Sequence, residues 1–194
     1  KEVEGKYPEE GYLAYYAATR LSTKEARKPV MERIAEKYAG TGVSFWPRKD
    51  LLQIEFEMLN EAKAGASAYK ALHEKCLAYE KERTALKGDE AKVVKGIEAV
   101  KSLAKTLTSK DLDVVLSDKK VNVVFRNLDK ATLTLREGNK TLKPWNLTNP
   151  ARSFYTKDTV QVALPLLGDG SYTLEAVNGK TSGQAWYNQH TLIS

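Results

Sequence analysis

Residues 93–125 read VVKGIEAVKSLAKTLTSKDLDVVLSDKKVNVVF, and the spacing of the apolar side chains changes inside this stretch. Val93, Ile97, Val100, Ala104 and Leu107 recur at intervals of four and three, the period of one helix face. Val121, Val123 and Phe125 recur at intervals of two, the period of one strand face. The switch near residue 110 predicts an α+β chain: an α-helical bundle over 1–109 and an antiparallel β-sandwich over 110–194.

Working back from the switch, Ser22-Thr23-Lys24-Glu25 has the form of a capping box opened by Ser22. Pro29 follows too deep for an unbroken helix, because it lacks an N–H and crowds the preceding turn. A break is expected there, with Val30, Ile34 and Tyr38 facing the core of the next helix and Gly40-Thr41-Gly42 ending it. Leu51, Leu52, Ile54, Phe56, Met58 and Leu59 predict a further helix. Tyr69, Leu72, Cys76, Tyr79, Arg83 and Leu86 predict another, stopped at Gly88, and Asp89 is placed to cap the last one. These read as helical hairpins. The small residues Ala14, Ala17, Ala18, Ala68 and Ala71 suit tetratricopeptide-like packing, although no fixed repeat length is legible.

Working forward, Leu133 and Leu135, then Val160, Val162 and Leu164, then Tyr172, Leu174 and Ala176 each alternate. Glu137-Gly138-Asn139-Lys140, Leu167-Gly168-Asp169-Gly170 and Asn178-Gly179 supply turns between them. Strands at this density with no helix between them predict a sandwich of about seven. Trp145 and Trp186 are expected to be large contributors to its core.

The 194 residues are 42% hydrophobic and 29% charged with 12 Gly and 6 Pro, a globular composition rather than a disordered one. No apolar run reaches the length of a membrane span. The single Cys excludes an intrachain disulfide and a cysteine-based zinc site, and only His73 and His190 offer imidazole. The net charge is +6, from 21 basic and 17 acidic side chains in residues 1–110 and 10 and 8 in residues 111–194. The signs interleave, as in Lys24-Glu25-Ala26-Arg27-Lys28 and Glu80-Lys81-Glu82-Arg83, which describes solvated helix faces. No nucleic-acid partner is expected. Lys1 in place of a Met and the strand-like Thr191-Leu192-Ile193-Ser194 lead us to expect a piece of a longer polypeptide. Cysteine poverty fits an exported bacterial protein.

Each candidate site has an ordinary reading beside it. Cys76 lies among core-facing positions, where a free Cys is usually a small hydrophobe. His73, three residues away, shares its face, but the pair alone is an incomplete zinc site and His190 would have to arrive from the other half. Gly168-Asp169-Gly170-Ser171 lacks the Lys and the helix of a phosphate loop and reads as a hairpin turn. Asn139-Lys140-Thr141 and Asn146-Leu147-Thr148 are glycosylation sequons with meaning only in a eukaryotic secreted protein. Asp111, Asp113 and Asp118 are too few for calcium and read as a solvated linker. Phe45-Trp46-Pro47 reads as a loop, either a buried connection or a contact with a neighbouring domain. No catalytic, cofactor-binding or metal-binding residue is assigned.

Two ordered segments carry a family resemblance. Val121-Asn122-Val123-Val124-Phe125-Arg126-Asn127-Leu128-Asp129, followed by Ala131-Thr132-Leu133-Thr134-Leu135, resembles an early strand pair in which "YRN-L/V-D/K" leads into "L-x-V-x". Val162-Ala163-Leu164-Pro165-Leu166-Leu167-Gly168-Asp169-Gly170-Ser171-Tyr172-Thr173-Leu174-Glu175-Ala176 resembles "LP-L-x-x-G-x-Y-x-L-x-A". Both are similar to the first macroglobulin-type sandwich of bacterial alpha-2-macroglobulin-like proteins, the large Bacteroidetes forms above all. These often carry a helical region before that sandwich.

The resemblance implies an immunoglobulin-like, macroglobulin-type module in a protease-trapping protein of the cell envelope. A bait segment is cleaved there, the sandwiches rearrange and the protease is held. The partners it implies are further domains of the parent chain and, through them, proteases. The thioester form of such proteins uses Cys-x-x-Gln, whereas Cys76 is followed by Leu77, Ala78 and Tyr79, so bait and thioester are expected outside this chain. The residues also admit other readings. One is an adhesion or carbohydrate-binding module stacking Trp145, Tyr155 or Tyr187 on sugars; another is an enzyme using Cys76 and His73.

Overall fold

Acidic Glu9 and Glu10 in the first turn suit the positive end of the first helix, α1 (Pro8–Thr19). Five more follow: α2 (Lys24–Lys37), α3 (Phe45–Glu61), α4 (Ala66–Ala85), α5 (Gly88–Val93) and α6 (Ala99–Thr108). The computed structural model describes residues 8–117, 120–149, 151 and 153–189. Between Leu107 and Thr108 the chain divides into two units.

In the first unit α1 packs on α2, α2 on α3 and α3 on α4, the order expected of short connections. Tyr15, Ala18, Met31, Ile34, Tyr38 and Val43 form one buried cluster, with Val30 packed partly against it. Tyr69, Leu72, Cys76 and Tyr79 are buried along α4, as their spacing requires.

Four local expectations are corrected. Thr23, not Ser22, caps α2, its Oγ1 accepting from the Ala26 N–H at 3.2 Å. Pro29 does not break that helix. The one backbone bond it forgoes would end on Glu25, in the exposed first turn, where the carbonyl is open to solvent. Phe45-Trp46-Pro47 is no loop: it forms the first turn of α3, where a proline forgoes an N–H with no helical partner. The last predicted helix is two short ones, interrupted where Gly96 takes a left-handed φ of +84°, and Asp89 caps neither. Asp89 instead pairs with Lys92 at 2.7 Å.

The second unit is built of β1 (Asp111–Ser117), β2 (Lys120–Arg126), β3 (Lys130–Glu137), β4 (Lys140–Thr148), β5 (Asp158–Ala163), β6 (Gly170–Asn178) and β7 (Thr181–Gln189). One sheet has the order β1-β2-β5 and the other β4-β3-β6-β7, and every pairing is antiparallel. Their inner faces share one core, in which Val121, Val123, Phe125, Leu133, Leu135, Leu174 and Ala176 are wholly buried. These are the positions that the period of two singles out. β7 also passes against β1, where a Cβ on Gly183 would lie 2.5 Å from the Leu112 carbonyl oxygen. β4 is an edge strand, which is why it tolerates Pro144.

Two expectations change here. Leu167-Gly168-Asp169-Gly170 is not a hairpin turn, because β5 pairs with β2 while β6 pairs with β3 and β7. It carries the chain from one sheet to the other. Trp186 does not enter the core. Ala185 and Tyr187 on either side of it turn inward, so the pleat turns Trp186 outward, and it is 71% exposed. Trp145 is half-buried and packs against the core from the edge strand.

Candidate functional site

The Cys76 and His73 pair lies on α4. Cys76 is wholly enclosed, and burial, reinforced by Glu55 and Glu80, pushes its thiol up to about 11. His73 is half-buried on the same helix, and His190 lies outside the described residues. Among the described residues no three His, Cys, Asp or Glu side chains come together to hold a metal. A buried neutral thiol is a poor nucleophile, and Cys76 packs with Tyr69, Leu72 and Tyr79 along the buried face of α4.

The first unit does carry a cleft of about 640 Å³ between α2, α3 and α4. Leu51, Leu52, Met58 and Leu59 make its floor, and Lys28, Glu32, Arg48, Glu55 and Lys75 stand around it. Its charges are satisfied from within. Lys75 meets Glu55 at 2.7 Å, and Arg48 meets Glu82 at 2.7 Å while its guanidinium lies 5.0 Å from the Phe45 ring. The Tyr79 hydroxyl donates to the Phe45 carbonyl at 3.1 Å. Phe45 is therefore a buried anchor of α3, and Trp46 stacks at a tilt on Tyr15 with ring centres 5.9 Å apart.

In the sandwich, polar side chains fasten the crossovers. Asn127, at φ +54°, donates to the Ser109 carbonyl at 2.7 Å and accepts from the Tyr155 N–H at 2.8 Å. Buried Asn149 donates to Asp158 at 3.0 Å, and Ser153 donates to the same carboxylate through its N–H at 3.0 Å and its hydroxyl at 3.1 Å. Burial alone would raise the Asp158 pKa. The bonds from Asn149 and Ser153 outweigh it and hold the carboxyl below the usual range. At the β5–β6 crossover the Tyr172 hydroxyl donates to the Gly168 carbonyl at 2.9 Å, the contact expected of a tyrosine at a sandwich corner.

Asp111 and Asp113 lie on β1 rather than in a linker. Asp111 faces Arg126 at 3.6 Å, Asp113 accepts from the Val114 N–H at 2.9 Å, and Asp118 lies outside the described residues. Of the sequons, Asn139 is exposed in the β3–β4 turn, and Asn146 accepts from Thr132 at 3.4 Å.

The three aromatics named for sugar stacking are engaged elsewhere. Trp145 and Tyr187 pack against the core, and Tyr155, at φ +61°, lies under the Arg126 guanidinium at 5.5 Å. The exposed ring on the described part of the sandwich is Trp186, on the outer face of the four-stranded sheet. Thr173 lies opposite it on β6, and Arg136 lies opposite Thr173 on β3. The next row holds Thr134, Glu175 and Gln184, the last two joined at 3.1 Å. The missed signal is in the sequence: Gln184, Trp186 and Asn188 share one parity, and two of the three are amides.

No protein-family model matches the chain, and no curated protein matches it. Among solved structures it is similar to a superoxide reductase from Nanoarchaeum equitans, at 9% identity over 43% of this chain and 94% of that one, with a TM-score of 0.21. Agreement at that level carries no argument about fold or function.

Proposed function

We propose that the chain is a non-catalytic scaffold piece of an alpha-2-macroglobulin-like envelope protein, a helical bundle followed by a macroglobulin-type sandwich of the immunoglobulin-like class. The observation that carries the reading is the crossover into β6. The segment Leu164-Pro165-Leu166-Leu167-Gly168-Asp169-Gly170-Ser171-Tyr172, which resembles the family's, bridges the two sheets and is closed by the Tyr172–Gly168 bond. The strand order supports it as well, with three strands against four and the fourth strand beside the third.

In this reading the chain holds shape and does no chemistry. The enclosed Cys76 and the satisfied charges of the helical cleft agree with that. Further domains of the parent chain supply the bait, and proteases are the ultimate partner.

A protease enclosed by a cage still reaches small peptides but not large proteins, which gives the test. The parent polypeptide is incubated with a serine protease, and cleavage of a large protein and of a short chromogenic peptide are compared. Loss of the first with the second kept is the expected result. Equal inhibition of both, or of neither, overturns the proposal.

A further inference from the structure

The outer face of the sheet β4-β3-β6-β7 carries one large exposed ring among mostly polar side chains. Trp186 is 71% exposed. Around it stand Thr173, Arg136, Thr134, Glu175 and Gln184. Apart from the Gln184–Glu175 bond, none of these side chains has a hydrogen-bond or ion-pair partner among the described residues. From this face we infer a binding site for a neutral polysaccharide, with Trp186 as the stacking platform.

The chemistry of the surroundings selects the occupant. A docked protein would need a contiguous apolar centre, with aromatic and aliphatic neighbours and few charges. Here the residues nearest Trp186 on its own face are Thr173, Ser171, Asn188 and the Gln184–Glu175 pair, with Arg136 one strand further out. A sugar ring needs the reverse arrangement. One face of C–H groups lies on an aromatic ring, and a rim of hydroxyls seeks hydroxyl, amide, carboxylate and guanidinium partners. Arg136 and Glu175 offset each other in charge, so the two rows at Trp186 carry no net charge to select an acidic or basic ligand.

Geometry adds a size. From Trp186 across Thr173 to Arg136 is two strand spacings, about 10 Å, the reach of a disaccharide. β6 and β7 keep one register from Gly170↔Gln189 to Asn178↔Thr181, and β3 and β6 keep one from Thr132↔Val177 to Glu137↔Tyr172. The platform is therefore built on ladder hydrogen bonds rather than on a loop, which gives it a fixed shape.

The test uses native gel electrophoresis through soluble β-glucan, xylan, α-mannan and galactan, with the Trp186 indole N–H followed by NMR. At least one of the four retards the wild-type chain and shifts that resonance. Trp186→Ala weakens the retention about tenfold or more, the loss of a stacked aromatic contact, and Trp186→Phe restores part of it. Arg136→Ala weakens it less, and Trp145→Phe leaves it unchanged. The proposal is overturned if none of the four polysaccharides retards the chain, or if Trp186→Ala binds as wild type. Self-association that Trp186→Ala abolishes, without retention by any polysaccharide, assigns the face to a protein contact and overturns it equally. Protease trapping by the parent polypeptide does not pass through this ring, so each proposal fails or stands by its own measurement.

Discussion

A phenol at position 172 combines two tasks. Its ring fills the sandwich core beside Tyr187, and its hydroxyl answers the Gly168 carbonyl at the crossover. Tyr172→Phe keeps the first and removes the second. The carbonyl is left short of a partner, so stability falls by about 1 kcal/mol, read as a lower urea midpoint with an unchanged circular dichroism spectrum. A midpoint equal to that of the wild type would show the bond to be idle. Asp158 makes a pH-dependent counterpart. Its folded pKa lies below the unfolded one, so its contribution is present above the ordinary Asp value of about 3.9 and is lost as pH falls through the folded value. Urea midpoints measured from pH 7 downward therefore decline less steeply in Asp158→Asn than in wild type. Parallel curves would remove the carboxylate from the account. Cys76 is the third case. With its thiol near 11, roughly one part in a thousand is thiolate at pH 8, and the sulfur is enclosed besides. A thiol reagent at pH 8 labels the chain in denaturant and leaves it unlabelled when folded. Rapid labelling of the folded chain would reopen the enzyme reading.

At the scale of elements, what the sequence reveals depends on how far away the deciding partner lies. The alternation of Val121, Val123 and Phe125, and of Tyr172, Leu174 and Ala176, needs only the pleat, and these residues are buried as their spacing requires. Gly138 and Gly179 mark the β3–β4 and β6–β7 turns for an equally local reason, a positive φ. The turn at Gly168 looks the same from within the chain, yet it is a crossover, because pairing with β2 or with β3 is settled dozens of residues away. Pro29 shows the same limit in a helix: the carbonyl it leaves unpaired is that of Glu25, four residues back, and the cost depends on how exposed that first turn is in the fold. The outward turn of Trp186 is legible in its parity with Gln184 and Asn188, against the general tendency of tryptophan to be buried. Gly183 was not legible at all, since its need arises only where β7 passes β1. A methyl there meets the Leu112 carbonyl oxygen at 2.5 Å and its carbon at 2.9 Å, backbone atoms that can yield only by moving a strand. Gly183→Ala thus costs about 1–3 kcal/mol by overpacking. Gly168→Ala, with open space around it, stays within about 0.5 kcal/mol of wild type. Paired thermal melts compare the two, and equal midpoints would refute the close approach.

Over the whole molecule, the excess of +6 invites a nucleic-acid reading that the arrangement of charge argues against. Phosphate binding needs cations left unpaired along one face, each releasing a counterion when it meets the backbone. In the helical unit Lys24 pairs with Glu61, Arg48 with Glu82, Lys49 with Asp50, Lys75 with Glu55 and Arg83 with Glu80 and Glu98. In the sandwich Arg126 is shared between Asp111 and the Tyr155 ring, and Lys143 lies 5.2 Å from the Trp145 ring. A duplex laid over these pairs would have to displace carboxylates already in contact, exchanging one ion pair for another with little net release, and the cations outside them are scattered among acidic side chains rather than lined up on one face. Fluorescence anisotropy of a labelled duplex at physiological salt should therefore detect nothing tighter than about 10⁻⁴ M, the weak edge of non-specific binding. Binding in the micromolar range with a steep salt slope would mean that these pairs open readily, and the solvated-face reading of both halves would fall with them.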